Sequence, residues 1–304
     1  MNYQEILNRI YKEVLESSET GNVADYIPAL ANIDSNKFGI AIHTIDGEDY
    51  TVGDAEEFFS IQSIAKVFTL TLAKQQFDES VWNRVGKEPS GTPFNSLVQL
   101  ESNEGIPRNP FMNAGALVIT DMISRNAGKT KMELIEFVRE LSGNRHVSYD
   151  FEVADSEEKT GYRNRALANF IKSYGNLENE PDEVLDVYYH QSAIRMSCID
   201  LSKAFIYLAN KGYSTIANKQ ILNPRQTKRV NSVMLIGGLY DAAGDFAYKV
   251  GLPGKSGVGG GIIAVIPGKL IITVWSPELN KTGNSAKGLK ALELFTTYTG
   301  ISVF

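Results

Sequence analysis

The chain has 304 residues, 43% hydrophobic and 22% charged, a balance that supports a large packed core or two lobes and excludes a disordered chain. Its 30 basic and 36 acidic residues leave a net charge of -6 with no Lys/Arg-rich run, so nucleic acid and anionic membrane surfaces are not expected partners. No apolar run approaches the ~20 residues of a membrane span, the polar amino terminus lacks a signal-peptide core, and the single Cys198 excludes an intrachain disulfide; a cytoplasmic protein is expected.

In chain order, Tyr3, Ile6, Ile10, Val14 and Leu15 predict a first helix ending near Ser17. A Pro-marked connector, Asp25 to Leu30, precedes a hairpin whose strands run from Phe38 to Ile45 and on toward Val52 around the turn Asp46-Gly47. The next helix holds Phe59-Ser60-Ile61-Gln62-Ser63-Ile64-Ala65-Lys66-Val67-Phe68 and reaches about Lys74. Residues 83 to 111 read as a loop, broken by Pro89, Gly91, Pro93, Gly105, Pro107 and Pro110, and long irregular segments are often functional.

Asn113 stands where an N-cap opens an apolar helix to Ile123, and Thr130 with Glu133 forms a capping-box pattern for a helix that Gly143 closes. One helix is expected over 155 to 173, another from Pro181 through Tyr188 and Tyr189, another between Asp200 and Gly212, and another from Asn223-Pro224 to Gly237-Gly238. The middle of the chain is thus expected to be all helix. Strand character returns at Ala247 to Val250 and in two apolar runs, Gly261 to Ile266 and Lys269 to Trp275, joined by Pro267-Gly268. A last helix is expected over 285 to 299.

Strands at both ends with helices between them predict an α+β fold: one antiparallel sheet from amino- and carboxy-terminal strands, flanked by helices, with an inserted all-helical lobe. The expected division is a sheet lobe of 1–62 plus 225–304 and a helical lobe of 63–224, forming one catalytic unit with a cleft between them. Ser63 lies at the first crossing from one lobe to the other.

Ser63 and Lys66 are three apart, so on a helix they share a face and the amine can accept a hydrogen bond from the hydroxyl. A lysine desolvated among Phe59, Ala65, Val67 and Phe68 disfavours its ammonium form, and a neutral amine beside a serine can take its proton. The pattern alone is cheap, and Ser156-Glu-Glu-Lys159 matches it in a setting that reads as a solvated turn. A second element, Lys255-Ser256-Gly257, runs into the glycines 259 to 261 and a strand, as the Lys-Thr/Ser-Gly element of penicillin-recognising serine enzymes does. Lys159-Thr160-Gly161 and Lys281-Thr282-Gly283 do not lead into strands. The glycine run opens a strand rather than a helix, which argues against a phosphate cradle. His43, His146 and His190 have no second histidine or cysteine at ligand spacing, so no metal is expected.

With these elements placed, the chain resembles the serine-dependent glutaminases, whose fold is like that of β-lactamases and penicillin-binding proteins. The blocks that carry the resemblance are Asp25-Tyr-Ile-Pro28, Gln62-Ser-Ile-Ala-Lys66, Pro107-Arg-Asn-Pro-Phe-Met-Asn-Ala-Gly-Ala116, Thr160-Gly-Tyr-Arg-Asn-Arg-Ala166, Val187-Tyr-Tyr-His-Gln191, Gly238-Leu-Tyr-Asp-Ala-Ala-Gly244 and Gly254-Lys-Ser-Gly-Val-Gly-Gly-Gly261. The resemblance implies hydrolysis of L-glutamine to L-glutamate and ammonia without a cofactor, by a homo-oligomer, commonly a tetramer. It implies Ser63 as nucleophile, Lys66 as its activating partner, and Tyr26 and Tyr188 as tyrosines that reach the same centre.

It further implies substrate binding by Ser63, Asn113, Glu157, Asn164, Tyr188, Tyr240 and Val258, with the amides of Ser63 and Val258 facing the oxyanion. A free amino acid offers an ammonium and a carboxylate, so one acid among neutral donors is a fitting set. Without the resemblance, Glu157 reads as a solvated helix start, Tyr188 as core and Asn164 as surface. A β-lactamase or esterase of the same fold, and a sensor that binds glutamine without turnover, are the competing readings.

Overall fold

Strands from the two ends of the chain meet in one antiparallel sheet. The computed structural model describes residues 1–90 and 97–304, so the expected loop residues Gly91 and Pro93 lie outside the described residues. The strand order across the sheet is Asp49–Gly53, Gly39–Thr44, Leu270–Trp275, Gly261–Ile266, Gly254–Ser256. The register pairs Gly39 with Trp275 and Trp275 with Gly261, which joins the first hairpin to the last through the central strand Leu270–Trp275. Gly39–Thr44, Gly261–Ile266 and Leu270–Trp275 are buried along their whole length, which is why they read as largely apolar runs rather than alternating ones. Ile40, Ile42, Ile262, Ile272 and Val274 face the terminal helices Tyr3–Leu15 and Ala286–Thr299; Ala41, Ile263, Val265, Ile271 and Trp275 belong to the large core shared with the helical part of the chain.

The helix Ala65–Phe77 is buried nearly all round and packs against the helix Asn113–Ile123, with Phe68 stacked on Phe205 at 4.2 Å. The middle of the chain is not wholly helical. Ile194–Met196 pairs with both Phe59–Ser60 and Ser148–Tyr149, forming a small sheet that fixes the chain just ahead of Ser63. Tyr213–Ser214 and Lys219–Gln220 form a second small hairpin.

Ala247 to Val250, expected as strand, falls in and just beyond the helix Ala243–Lys249. Phe246 and Val250 lie one turn apart and both pack into the core beneath the sheet, and Lys249 pairs with Asp245 at 3.0 Å, so helical contacts outweigh local strand preference. The single helix expected over 155 to 173 is two, Phe151–Thr160 and Tyr162–Ser173, divided at Gly161. The first starts early because Asp150 caps it, accepting from the Val153 amide at 3.1 Å; Ser156 to Lys159 is therefore helix rather than turn. Asn126, not Thr130, caps the helix Ala127–Ser142, which Gly143 ends in the left-handed conformation. The region from Asp200 to Gly212 holds two short helices, Cys198–Ala204 and Ile206–Ala209, the first opened by a Ser197–Asp200 capping box. Cys198 is buried, and burial pushes its thiol pKa up, as befits a structural thiol.

Candidate active site

Ser63 is not inside the long helix. Gln62–Ile64 forms a 3₁₀ turn and the α-helix begins at Ala65, so the serine sits on the turn that delivers the chain into it. Two features hold that turn. The Ile61 amide donates to the Ile194 carbonyl at 2.9 Å, and the Lys255-Ser256-Gly257 segment lies against the backbone from Ser60 to Ser63. A Cβ on Gly257 would lie 2.4 Å from the Ile61 carbonyl oxygen, and one on Gly259 would lie 2.1 Å from that of Ser60, so only glycine permits this approach. The same approach brings Val258 to the serine's side of the cleft.

Lys66 lies beneath, 1% exposed. Its Nζ donates to Asn113 Oδ1 at 2.6 Å and to the Phe111 carbonyl at 3.1 Å, rather than meeting Ser63 in the hydrogen bond that helical spacing predicts. Ser63 instead bonds to the Tyr240 hydroxyl. Both Lys66 partners are neutral, and burial lowers its pKa to about 7 against an opposing pull from Glu157. Lys255 is also buried, 4.2 Å from the Tyr240 ring centroid on which Lys66 converges at 5.6 Å. Burial, reinforced by the charge of Lys66, holds Lys255 well below the usual lysine range. Asn113 does not cap its helix; its side chain accepts from Lys66 and donates to Asn164 Oδ1 at 3.0 Å.

Above them opens a cleft of about 470 Å³ whose lining includes Tyr26, Ser63, Asn113, Glu157, Asn164, Tyr188, Tyr240 and Val258. The structure thus gathers every expected site residue, eight on the walls and Lys66 under the floor. Glu157 is 6% exposed, far from the solvated position its acidic neighbours suggest, and its Oε1 is buried without a hydrogen-bond partner. Burial raises its pKa to about 8, with a hydrogen-bonding interaction from Gln62 and the charge of Lys66 pulling the other way. Tyr188 is 3% exposed, and burial, then Glu157, lifts its pKa well above the ordinary value. Tyr240 is raised by burial despite its bond to Ser63. Tyr26 stands at the mouth, half exposed, and burial of its phenol near Tyr240 and Glu157 raises its pKa as well.

The electrostatic pattern is therefore two amines held toward their neutral forms, one carboxyl held toward its neutral form and three phenols kept protonated. Gln62 and Lys255 join the site beyond the residues assigned from sequence. Both were visible within motifs, Gln62-Ser-Ile-Ala-Lys66 and Lys255-Ser256-Gly257, but neither was given a role. Among the described residues no cluster of His, Cys, Asp and Glu is placed to hold a metal ion.

The family model described as Glutaminase matches residues 21–304. Glutaminases of Aeromonas hydrophila and Aliivibrio salmonicida are 56% and 54% identical over 301 and 302 residues, covering 99% of this chain and 98% and 99% of theirs. The chain belongs to the glutaminase family. Among solved structures, the probable glutaminase ybaS superposes with a TM-score of 0.94 at 36% identity, covering 99% of this chain and 97% of that one. A probable glutaminase from Bacillus subtilis, complexed with 6-diazo-5-oxo-L-norleucine, superposes with a TM-score of 0.87 at 31% identity over 99% and 95% of the two chains. The β-lactamase-like fold that the resemblance implied is thereby the fold of this chain.

Proposed function

We propose that this glutaminase-family chain hydrolyses the side-chain amide of L-glutamine through a glutamyl ester on Ser63, with Lys66 as general base. The observation that carries the reading is the amine of Lys66, buried among neutral partners and drawn down to about 7, one helical turn from a serine on the wall of an amino-acid-sized cleft.

Ser63 Oγ attacks the amide carbon while neutral Lys66 takes the hydroxyl proton. The carbonyl oxygen becomes the oxyanion, received by the backbone amides of Ser63 and Val258; one such donor typically contributes ~3 kcal/mol. Collapse breaks the carbon–nitrogen bond, and the proton on Lys66 goes to the departing nitrogen, giving ammonia and the ester. Water, deprotonated by the same amine, then attacks the ester and frees glutamate and Ser63. The raised pKa values of Tyr26, Tyr188 and Tyr240 suit phenols that donate hydrogen bonds and pass protons, not phenols that serve as resting bases. Glu157 receives the substrate ammonium, and Asn113 with Asn164 supplies neutral amides. The ligand of the Bacillus subtilis neighbour has its ketone at the chain position of glutamine's amide carbon, which fits this orientation.

The test is ammonia release from L-glutamine by wild type and by Ser63→Ala, with 6-diazo-5-oxo-L-norleucine as a trap. Wild type should release ammonia and carry the trap's mass less dinitrogen on the Ser63 peptide, whereas Ser63→Ala should lose activity by roughly 10⁶-fold. Ammonia release by Ser63→Ala at the wild-type rate would refute the ester.

A further inference from the structure

The residue before the nucleophile is held under a constraint that its burial alone does not explain. Gln62 is 4% exposed and adopts φ +50°, in the left-handed region that a side chain with Cβ rarely takes. Glycine would accept that backbone freely, and glycines already stand across from it at 257 and 259, where a Cβ would press on Gln62 Cβ at 3.3 Å and Cγ at 3.5 Å. The side chain supplies a reason for glutamine. Its Nε2 donates to Ser60 Oγ at 3.0 Å, and Ser60 Oγ in turn donates to the Ser192 carbonyl at 3.0 Å. Ser192 is the last residue of the helix Pro181–Ser192, which carries Tyr188. The Glu157 carboxyl lines the same cleft, its Oε1 has no hydrogen-bond partner inside the fold, and the nearby glutamine amide favours its charged form. An amide nitrogen has two hydrogens, enough for a hydroxyl on one side and a carboxylate on the other. No other uncharged side chain of that length offers both.

We propose that Gln62 is a positioning residue that ties the nucleophile to the ammonium-recognising carboxylate: its left-handed backbone forms the turn that presents Ser63, while its side chain, anchored on Ser60, holds Glu157 toward the cleft. The inference rests on the reading of Glu157 given above. It makes nucleophile and substrate recognition two ends of one residue, so a shift in either is felt by the other. It also accounts for glutamine at a position where glycine is less strained.

Binding of L-glutamate, the product with the same ammonium, separates this from the catalytic reading because it needs no turnover. Calorimetric titrations from about pH 6 to about pH 9 would compare wild type with Gln62→Ala and Gln62→Gly, beside kcat and KM for glutamine. The alanine variant deletes the amide and keeps the strain; the glycine variant deletes the amide and relieves it. Both should bind glutamate roughly tenfold more weakly, with the rise in affinity displaced to higher pH because burial of Glu157 is less opposed; KM should rise more than kcat falls. Ser60→Ala, which removes only the anchor, should shift the profile in the same direction by less, and decides the matter if the Gln62 variants do not fold.

Folded variants with the wild-type affinity and pH midpoint would overturn the proposal, as would a loss of affinity with no displacement in pH, the mark of a packing defect. A wild type that binds glutamate but releases no ammonia would sink the ester mechanism and leave the Gln62 comparison standing. A wild type that binds no glutamate at any pH would overturn both.

Discussion

Two lysines on one helix show what turns a buried cation into a base. Lys66 and Lys74 both lie in Ala65–Phe77, eight residues and about 12 Å apart, and neither is more than 1% exposed. Lys74 is met by charge: its Nζ donates to Glu79 Oε1 at 2.8 Å and to the Asp78 carbonyl at 2.7 Å, with the Asp78 carboxylate at 3.3 Å. Lys66 is met only by the neutral oxygens of Asn113 and Phe111. Burial is the same; the partners differ. Carboxylates within hydrogen-bond reach make a buried lysine a structural tie, whereas one hydrogen-bonded only to neutral oxygens is pushed toward the neutral amine that catalysis needs.

The largest break in that comparison comes from Lys66→Met, which keeps the shape and removes the base. Activity should fall roughly 10²–10⁴-fold. Stability should move the other way. The Lys66 pKa is about 7 in the folded chain and 10.5 ordinarily, so the unfolded chain holds its charge more readily between those values. The burial cost is fully present below pH 7 and fades as pH rises toward 10.5. A methionine escapes it, so the variant's Tm should exceed that of wild type by a few degrees at neutral pH, and the gap should close in alkali. Differential scanning calorimetry at neutral and alkaline pH would read this directly; a lower Tm at neutral pH would mean the amine is held charged.

Glu157→Gln sharpens the comparison from the other side. Both ionisations that wild type needs, loss of a proton from Lys66 near 7 and from Glu157 near 8, proceed as pH rises. The logarithm of kcat/KM should therefore climb with a limiting slope of about 2 below neutrality. The glutamine variant should raise KM roughly 10- to 100-fold, the loss of one charge-assisted hydrogen bond, and remove the upper inflection. Its kcat inflection should move to lower pH, because the carboxylate that favoured the Lys66 ammonium is gone. Steady-state kinetics across pH would check both, and an unchanged KM would dismiss Glu157 as the ammonium partner.

Four strands of the sheet were legible because three are apolar runs and strong turns at Asp46-Gly47 and Pro267-Gly268 join the four in two hairpins, signals that local sequence carries on its own; the edge strand Gly254–Ser256 was read only as part of a motif. The short elements were not. Ile194–Met196 becomes a strand only because Phe59–Ser60 and Ser148–Tyr149 arrive beside it, and Ala243–Lys249 becomes a helix because Phe246 and Val250 find the same core. Site residues could be gathered through the resemblance, yet periodicity pointed to a direct Ser63–Lys66 bond that the 3₁₀ turn does not make. The acidic run around Glu157 likewise concealed a carboxyl that faces inward from the middle of Phe151–Thr160. Burial by distant segments decides such cases, and no local window contains it.

Lys74→Ala makes the smallest change in activity and so tests whether the two lysines are separable. The substitution leaves a cavity and releases Asp78 and Glu79 from a buried partner, but both carboxylates are about two-fifths exposed and retain Arg225 at 2.8 Å and Arg229 at 2.5 Å. The cost should thus lie below that of a fully buried pair, roughly 2–3 kcal/mol in urea unfolding. What is lost is the tie between Ala65–Phe77 and the segment Asp78–Asn83 that follows it, two turns from Lys66. At temperatures where the variant stays folded, kcat/KM should remain within about twofold of wild type, since changes distant from a site and sharing no partner with it alter stability without entering the chemistry. A variant that keeps its fold but loses activity in proportion to its stability would show that the helix transmits strain from Lys74 to Lys66, and the two lysines would then have to be treated as one device.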